Sequence, residues 1–372
     1  MKVLDILSYL SKNGGVQSVV NNYYNNLSKD IEVDFLTLLP GDEEFEQELE
    51  KKGSKVYHIG GSKEKNLFIF LKEIKKFFRE HHDYDILHNH QTNLDLFYLK
   101  EAKKWKIPVR IMHAHNTNCD ISKLRMKILK LTSKRYANYY FACSEEAGKF
   151  MFGKNIINNK RFYVINNAID VEKYEYNEEI RNKVQNQIKM NDNFVVGNVS
   201  RMTEIKNHKF LIEIFNEILK ITNNAKLLLV GDGPLKEELI EKVKILQIED
   251  KVVFYGTTNK VHEVLQAMDV FILPSLFEGV PVTIVEAAAS GIKYVISDTI
   301  DSHLKENELE LKLNLNLSAK EWADKIIEFS MKYQRKKQKE LLVASKFDIK
   351  KETEKLEEIY VRALEGKKDN EK

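Results

Sequence analysis

The chain has 372 residues, 43% of them hydrophobic and 31% charged, which suits two globular domains and excludes a fibre, a disordered tail or a small disulfide scaffold. Net charge is +3 but unevenly spread: 27 basic against 21 acidic side chains over residues 1–170, and 32 against 35 over residues 171–372. Cys119 and Cys143 match no metal spacing and suit reduced thiols, so a cytoplasmic location is expected. The first apolar run is too short for a signal peptide, and no segment approaches the roughly 18 to 20 apolar residues of a spanning helix.

Along residues 1–168, short apolar runs alternate with helical ones. KVLDILSYL reads as a strand, Asn13-Gly14-Gly15 as a turn and VQSVVNNYYNNL as a helix; EVDFLTLL and KVYHIG are further strands. NLFIFLKEIKKFFREH is an amphipathic helix, followed by the strand YDILHNH, a helix through Leu99 and Lys103, and the strands VRIMHAH and YYFACS. Such alternation predicts a parallel sheet covered by helices on both faces. Ser122–Tyr136 holds six basic residues and no acidic one beside Leu124, Ile128, Leu129 and Leu131. The stretch fits a helix lying on an anionic membrane or acceptor, and equally an ordinary helix with a solvated basic face. No nucleic-acid motif is present.

The polar stretch from Phe162 to Asp192 loses the strand pattern and reads as a linker. The alternation then restarts with FVVGNVSR, the helix HKFLIEIFNEILKIT, AKLLLVGDG, the helix LKEELIEKVKILQ, KVVFYG, DVFILPS and KYVISD. A second doubly wound domain is therefore predicted over residues 169–348, with a last helix over 349–372 packing back on the first domain. Two such domains would face each other across a cleft at the carboxyl ends of their strands, where these folds bind ligands.

Candidate site residues cluster at those strand ends. Gly231 and Gly233 lie in a tight strand-to-helix turn that would leave amide groups for a phosphate or sugar, although glycine is also needed there for geometry alone. Arg201 and Lys206 follow another strand and could neutralise a leaving diphosphate without a metal. Glu278 follows DVFILPS beside Gly279, Val280 and Pro281, and Glu286 lies in the helix that Pro281 favours starting. An ionised carboxylate accepts both protons of a vicinal diol, so this pair suits a ligand carrying sugars. His88, His90, His113 and His115 end two consecutive strands of the first half. A neutral imidazole there can hydrogen-bond a sugar hydroxyl. Asp83-Tyr84-Asp85 matches a metal-holding Asp-x-Asp pattern, but stands at the amino end of its strand, away from the expected cleft.

Glu278 to Glu286 in FEGVPVTIVEAAASG, Arg201 and Lys206, VGDGP, NAID at Asn167–Asp170, and Gly14-Gly15 together resemble the retaining family 4 glycosyltransferases of the GT-B class. The closest likeness is to bacterial capsule and exopolysaccharide transferases. This resemblance implies that Glu286 holds the ribose, Glu278 the transferred sugar, and Arg201 with Lys206 the diphosphate. It places Gly14 and Gly15 at the phosphates or sugar and Tyr255, Gly256 and Thr257 near the base. His115, favoured over His113 because it precedes Asn116, becomes the active-site histidine. The implied donor is a UDP- or GDP-sugar, with no further cofactor and no metal. The implied acceptor is a glycan or polyprenyl-diphosphate-linked saccharide, with peripheral contact at the inner membrane face through residues 122–136. Three positions depart from the family: Ser200-Arg201-Met202 stands for Gly-Arg-Leu, Lys206-Asn207 for Lys-Gly, and Lys293 for a proline beside the expected phosphates. A sugar-nucleotide 2-epimerase or a noncatalytic transferase subunit on the same frame are the alternatives.

Overall fold

A computed structural model describes residues 1–12, 14–59, 67–91, 95–115, 131, 135–331 and 333–368. They group into two compact units, Met1–Ala168 with Ile349–Lys372, and Ile169–Asp348. Among the described residues no helix is long and apolar enough to cross a membrane.

The strands of the N-terminal unit are β1 (Lys2–Leu7), β2 (Glu32–Thr37), β3 (Val56–His58), β4 (Ile86–Asn89), β5 (Val109–Ala114), β6 (Tyr139–Ala142) and β7 (Phe162–Val164). Among the described residues they form one sheet in the order β3-β2-β1-β4-β5-β6-β7, and each pairing is parallel. Its helices include α1 (Gly15–Tyr24), α2 (Glu43–Lys51), α3 (Leu67–Glu80), α4 (Asp95–Lys104) and α5 (Glu145–Phe152). In α3 the apolar positions recur at helical spacing and bury Phe70, Ile74, Phe77 and Phe78. The C-terminal helix, Ile349–Lys368, belongs to this unit. Glu352 accepts from Asn166 at 3.1 Å, and Lys355 Nζ donates to the Val164 carbonyl at 2.8 Å.

In the C-terminal unit α6 (Val171–Tyr174) and α7 (Glu178–Gln187) precede β8 (Phe194–Val199), α8 (His208–Ile221), β9 (Ala225–Val230), α9 (Lys236–Ile245) and β10 (Val252–Gly256). There follow α10 (Val261–Val264), β11 (Val270–Leu273), α11 (Val282–Ala289), β12 (Lys293–Ser297), β13 (Glu310–Leu313), α12 (Ala319–Ser330) and α13 (Lys339–Ala344). Among the described residues the sheet order is β10-β9-β8-β11-β12-β13. The core beneath it packs Phe215, Leu227, Leu229, Ile272 and Trp322, all fully buried. Both sheets therefore reverse strand order beside their first strand, between β1 and β4 and between β8 and β11. Open sheets of this kind bind ligands at the carboxyl ends flanking such a reversal.

The alternation read from sequence is present, with local differences. The segment expected to be a linker contains β7 and α7, the latter capped by the Asn177 side chain accepting from the Ile180 amide at 3.0 Å. Short elements with mixed polarity carry too little periodicity to stand out. For the same reason α2, whose apolar stripe is only Phe45 and Leu49, and the edge strand β13 were not anticipated.

Candidate functional site

In the C-terminal unit the loops after β8 and β11 are stitched together. The Leu276 amide donates to the Ile205 carbonyl at 2.8 Å, and Asn207 Nδ2 donates to the Pro274 carbonyl at 3.1 Å. Across this seam Lys206 Nζ forms an ion pair with Glu278 Oε1, the two side chains 22% and 12% exposed. Arg201, on the same loop, is exposed, and among the described residues its guanidinium has no hydrogen-bond or ion-pair partner. The result is one partly shielded ion pair and one exposed positive charge on the same loop.

Two of the family departures preserve this loop. Asn207 adopts the left-handed conformation, φ 55° and ψ 40°, at the start of α8. Glycine does this without strain, and asparagine is among the few other residues that do so readily. Ser200 Oγ donates to Asn198 Oδ1 at 2.7 Å and lies 3.2 Å from His208 Nε2, so a buried polar chain backs the loop. Burial, with the nearby Lys206 charge, lowers His208 to about 4 and keeps it neutral. The third departure is corrected in its location. Lys293 begins β12 at the amino end of the sheet, donating to the Phe329 carbonyl at 2.7 Å with its ammonium 4.1 Å from the Phe329 ring centre. It adjoins no strand-end loop of this site.

Of the two readings open for the glycines of the β9–α9 turn, the geometric need is visible. Gly231 has φ 130°, and a Cβ there would stand 2.2 Å from the Ser200 carbonyl oxygen; one on Gly233 would stand 2.4 Å from the Met202 carbonyl oxygen. Glycine lets this turn press against the Arg201 loop. The amides expected to await a ligand are engaged: Gly231 N–H donates to the Gly256 carbonyl at 2.8 Å and Gly233 N–H to Asp232 Oδ1 at 2.7 Å. Tyr255, 37% exposed, and Gly256 end the edge strand β10 and Thr257 follows it; that Gly256 bond holds the strand end to the turn.

Pro281 immediately precedes α11, in which Glu286 is the fifth residue. Glu286 is buried, and Tyr174 O–H donates to its Oε1 at 2.6 Å. Burial lifts this carboxyl to about 7, against the opposing effects of the Tyr174 bond and the Lys173 charge. Gly279 stands in the turn after Glu278, half-buried, while Val280 and Pro281 are buried. The two carboxylates of the motif thus have different partners, one an ammonium and one a phenol. Tyr174 was missed because it sits in the presumed linker. Asp170 of NAID caps its helix by accepting from the Lys173 amide at 3.3 Å.

In the N-terminal unit Gly14 and Gly15 open α1 after β1, both exposed; Gly14 has φ 150°, a backbone conformation that favours glycine. His88 and His90 end β4, and His113 and His115 end β5, so period-two spacing sets each pair on one face. His88 Nε2 lies 3.0 Å from His113 Nδ1, and His90 Nδ1 lies 2.9 Å from His115 Nε2. These two bonded pairs stack, with ring centres 4.1 Å apart for His88 and His90 and for His113 and His115. Burial, with the neighbouring imidazoles, holds His88, His113 and His115 well below 6.5, and so neutral. Among the described residues, His88, His90 and His113 are the group that could offer nitrogens to an ion, all within 4.8 Å of one another. Tyr360 of the C-terminal helix places its hydroxyl 2.7 Å from His88 Nδ1. Asp83 instead pairs with Lys2 Nζ at 2.6 Å, and Asp85 accepts from the Lys2 amide at 2.8 Å. Asn116 and nearly all of residues 122–136 lie outside the described residues.

Residues 193–331 match the family model described as glycosyl transferases group 1, and residues 13–173 that of glycosyltransferase family 4. EpsF of Bacillus subtilis, named as a glycosyltransferase, is 30% identical over 87% of this chain and 86% of its own. An Escherichia coli UDP-Gal:alpha-D-GlcNAc-diphosphoundecaprenol alpha-1,3-galactosyltransferase is 24% identical over 82% of this chain and 80% of its own. The crystal structure of Anabaena HepE in complex with UDP superposes with a TM-score of 0.78 at 20% identity, covering 96% of this chain and 99% of that one. With the paired parallel sheets and the Glu278–Glu286 motif, these likenesses establish that the chain belongs to the family 4 glycosyltransferases of the GT-B fold.

Proposed function

We propose that the chain transfers a sugar, with retention of anomeric configuration, from a UDP- or GDP-sugar to a hydroxyl of a glycan or polyprenyl-diphosphate-linked saccharide during surface polysaccharide synthesis. The observation that carries this reading is the Lys206–Glu278 ion pair with Arg201 exposed on the same loop as Lys206 and without an ion-pair partner among the described residues. Fixed cations that meet a departing diphosphate stabilise charge where it develops. In this reading Arg201 and Lys206 hold the diphosphate without a metal, Glu278 binds hydroxyls of the transferred sugar, and Glu286, ionised, accepts from the ribose diol. The bond from the anomeric carbon to the diphosphate breaks as the acceptor oxygen bonds the same face, and the hydroxyl proton passes to the leaving oxygen. His115 and His113 hold that hydroxyl.

The donor class is supported by the UDP bound to the Anabaena protein and by the UDP-galactose in the name of the Escherichia coli relative, whose acceptor is a diphosphoundecaprenol saccharide. Contact of residues 122–136 with an anionic membrane would bring such an acceptor within reach. The test is a transfer assay over UDP- and GDP-sugars and polyprenyl-diphosphate saccharides, without added divalent cation, with the product anomer read by NMR. An α-linked product from an α-donor is expected. An inverted product, an epimerised donor, or no turnover with any pair would overturn the proposal.

A further inference from the structure

The histidine quartet carries an inference about its protons. A neutral imidazole donates from one nitrogen and accepts at the other, so each hydrogen bond along a chain of rings fixes the next tautomer. Two chains run side by side through the quartet, one from Tyr360 through His88 to His113, the other from Asp5 through His90 to His115. Asp5 and His88 are register partners on neighbouring parallel strands, so these starting points are held on rigid backbone.

Each chain has a defined direction. In the first, the Tyr360 hydroxyl needs an acceptor, and His88 Nδ1 at 2.7 Å is its partner. Asp5 Oδ1, 3.7 Å from the same nitrogen, has no hydrogen-bond partner among the described residues, so the phenol proton does not go there. His88 then donates from Nε2 to His113 Nδ1, which leaves the His113 proton on Nε2, a buried atom with no partner among the described residues. In the second chain, Asp5 Oδ1 lies 3.8 Å from His90 Nε2, too far for a hydrogen bond but close enough for its charge to act. With His88 Nδ1 already taken by the Tyr360 phenol, the N–H that the carboxylate draws towards itself is that of His90 Nε2. His90 Nδ1 then accepts from His115 Nε2, and His115 Nδ1 is left unprotonated.

We propose that Asp5 and Tyr360 are positioning residues that set these tautomers, so that His115 offers a bare Nδ1 to the proton of an acceptor hydroxyl while His113 keeps a donor at Nε2. This rests on the acceptor reading of the quartet given above. The arrangement holds a hydroxyl by its proton and leaves an oxygen lone pair directed away from the rings. In this arrangement the bonding nitrogens of His88 and His113 face each other edge to edge, with ring planes 8° apart.

The test uses the full chain labelled with 15N-histidine and long-range proton–nitrogen correlation spectra, recorded without substrate. His113 and His115 are both expected as Nε2–H tautomers. Tyr360→Phe should give a tautomer mixture at His88 and His113 while leaving His90 and His115 unchanged, and Asp5→Ala should do the reverse. Asp5→Ala should also raise the acceptor KM roughly tenfold, the scale of one hydrogen bond, with UDP affinity unchanged. An Nδ1–H tautomer at His115 in the unsubstituted chain would overturn the assignment. So would spectra unaltered in both variants, or one zinc per chain with nitrogen shifts displaced by metal. Because tautomers are read without turnover, the expected spectra in a chain that transfers no sugar would uphold the two chains and count against the acceptor reading.

Discussion

The two units present chemistry of opposite character at the carboxyl ends of their central strands. After β8 and β11 the C-terminal unit offers an ion pair and an exposed guanidinium on loops and, in α11, a carboxyl lifted by burial to about 7. After β4 and β5 the N-terminal unit offers imidazoles at strand ends, bonded to one another, with His88, His113 and His115 held neutral by burial. Charges on loops suit a ligand that arrives with its own charge and can compete for Lys206. Neutral rings on a rigid sheet suit an uncharged hydroxyl, which is recognised by direction rather than by charge.

The comparison can be broken most directly at Lys206. Lys206→Ala should lower transfer by about two to three orders of magnitude, as loss of a positioned transition-state cation does, and weaken UDP binding in the same variant. A variant with wild-type kcat would show that the ion pair is only structural. Glu278→Gln should lower kcat by roughly ten- to a hundredfold with a smaller change in UDP affinity, separating sugar from nucleotide contacts by steady-state kinetics and calorimetry.

Glu286 gives a smaller effect with a distinctive sign. Its carboxyl rises from 4.5 to about 7 on folding, so between those values the folded chain holds a proton that the unfolded chain has released. Its contribution to stability therefore falls as pH rises from about 4.5 through about 7. Glu286→Gln should raise the melting temperature at pH 8 while weakening nucleotide binding about tenfold, the scale of hydrogen bonds to a charged acceptor. Melting curves at pH 5 and pH 8 check the first half; equal shifts at both values would contradict it. The smallest effect is expected at Lys293, where Lys293→Ala removes one hydrogen bond and the cation–π contacts to Phe329 and Tyr333. A loss of about 1 kcal/mol or less with unchanged UDP affinity would confirm that this departure lies away from the donor chemistry.

How much of this was legible in the sequence depended on distance along the chain. The alternation of strands and helices, the Glu278–Glu286 spacing and the paired histidines are local patterns. The pairing of Lys206 with Glu278 could be anticipated only because both follow strands of one sheet. Tyr174 was hidden in a polar segment, and Asp5 and Tyr360 gave no local signal, since their meaning comes from the histidines beside which the sheet and the last helix place them. The Gly231–Gly233 turn left two readings open, a ligand cradle and a geometric need, because sequence does not reveal that the Arg201 loop presses against it.

The central claim is that the charged loops of the C-terminal unit bind a nucleoside diphosphate. Calorimetric titration of UDP and GDP into the full chain without added divalent cation, beside Lys206→Ala and Glu286→Gln, tests it most directly. The expected result is saturable binding of one of the two nucleotides, weakened about tenfold or more in each variant. Binding of neither nucleotide, or equal binding by all three proteins, would contradict the account.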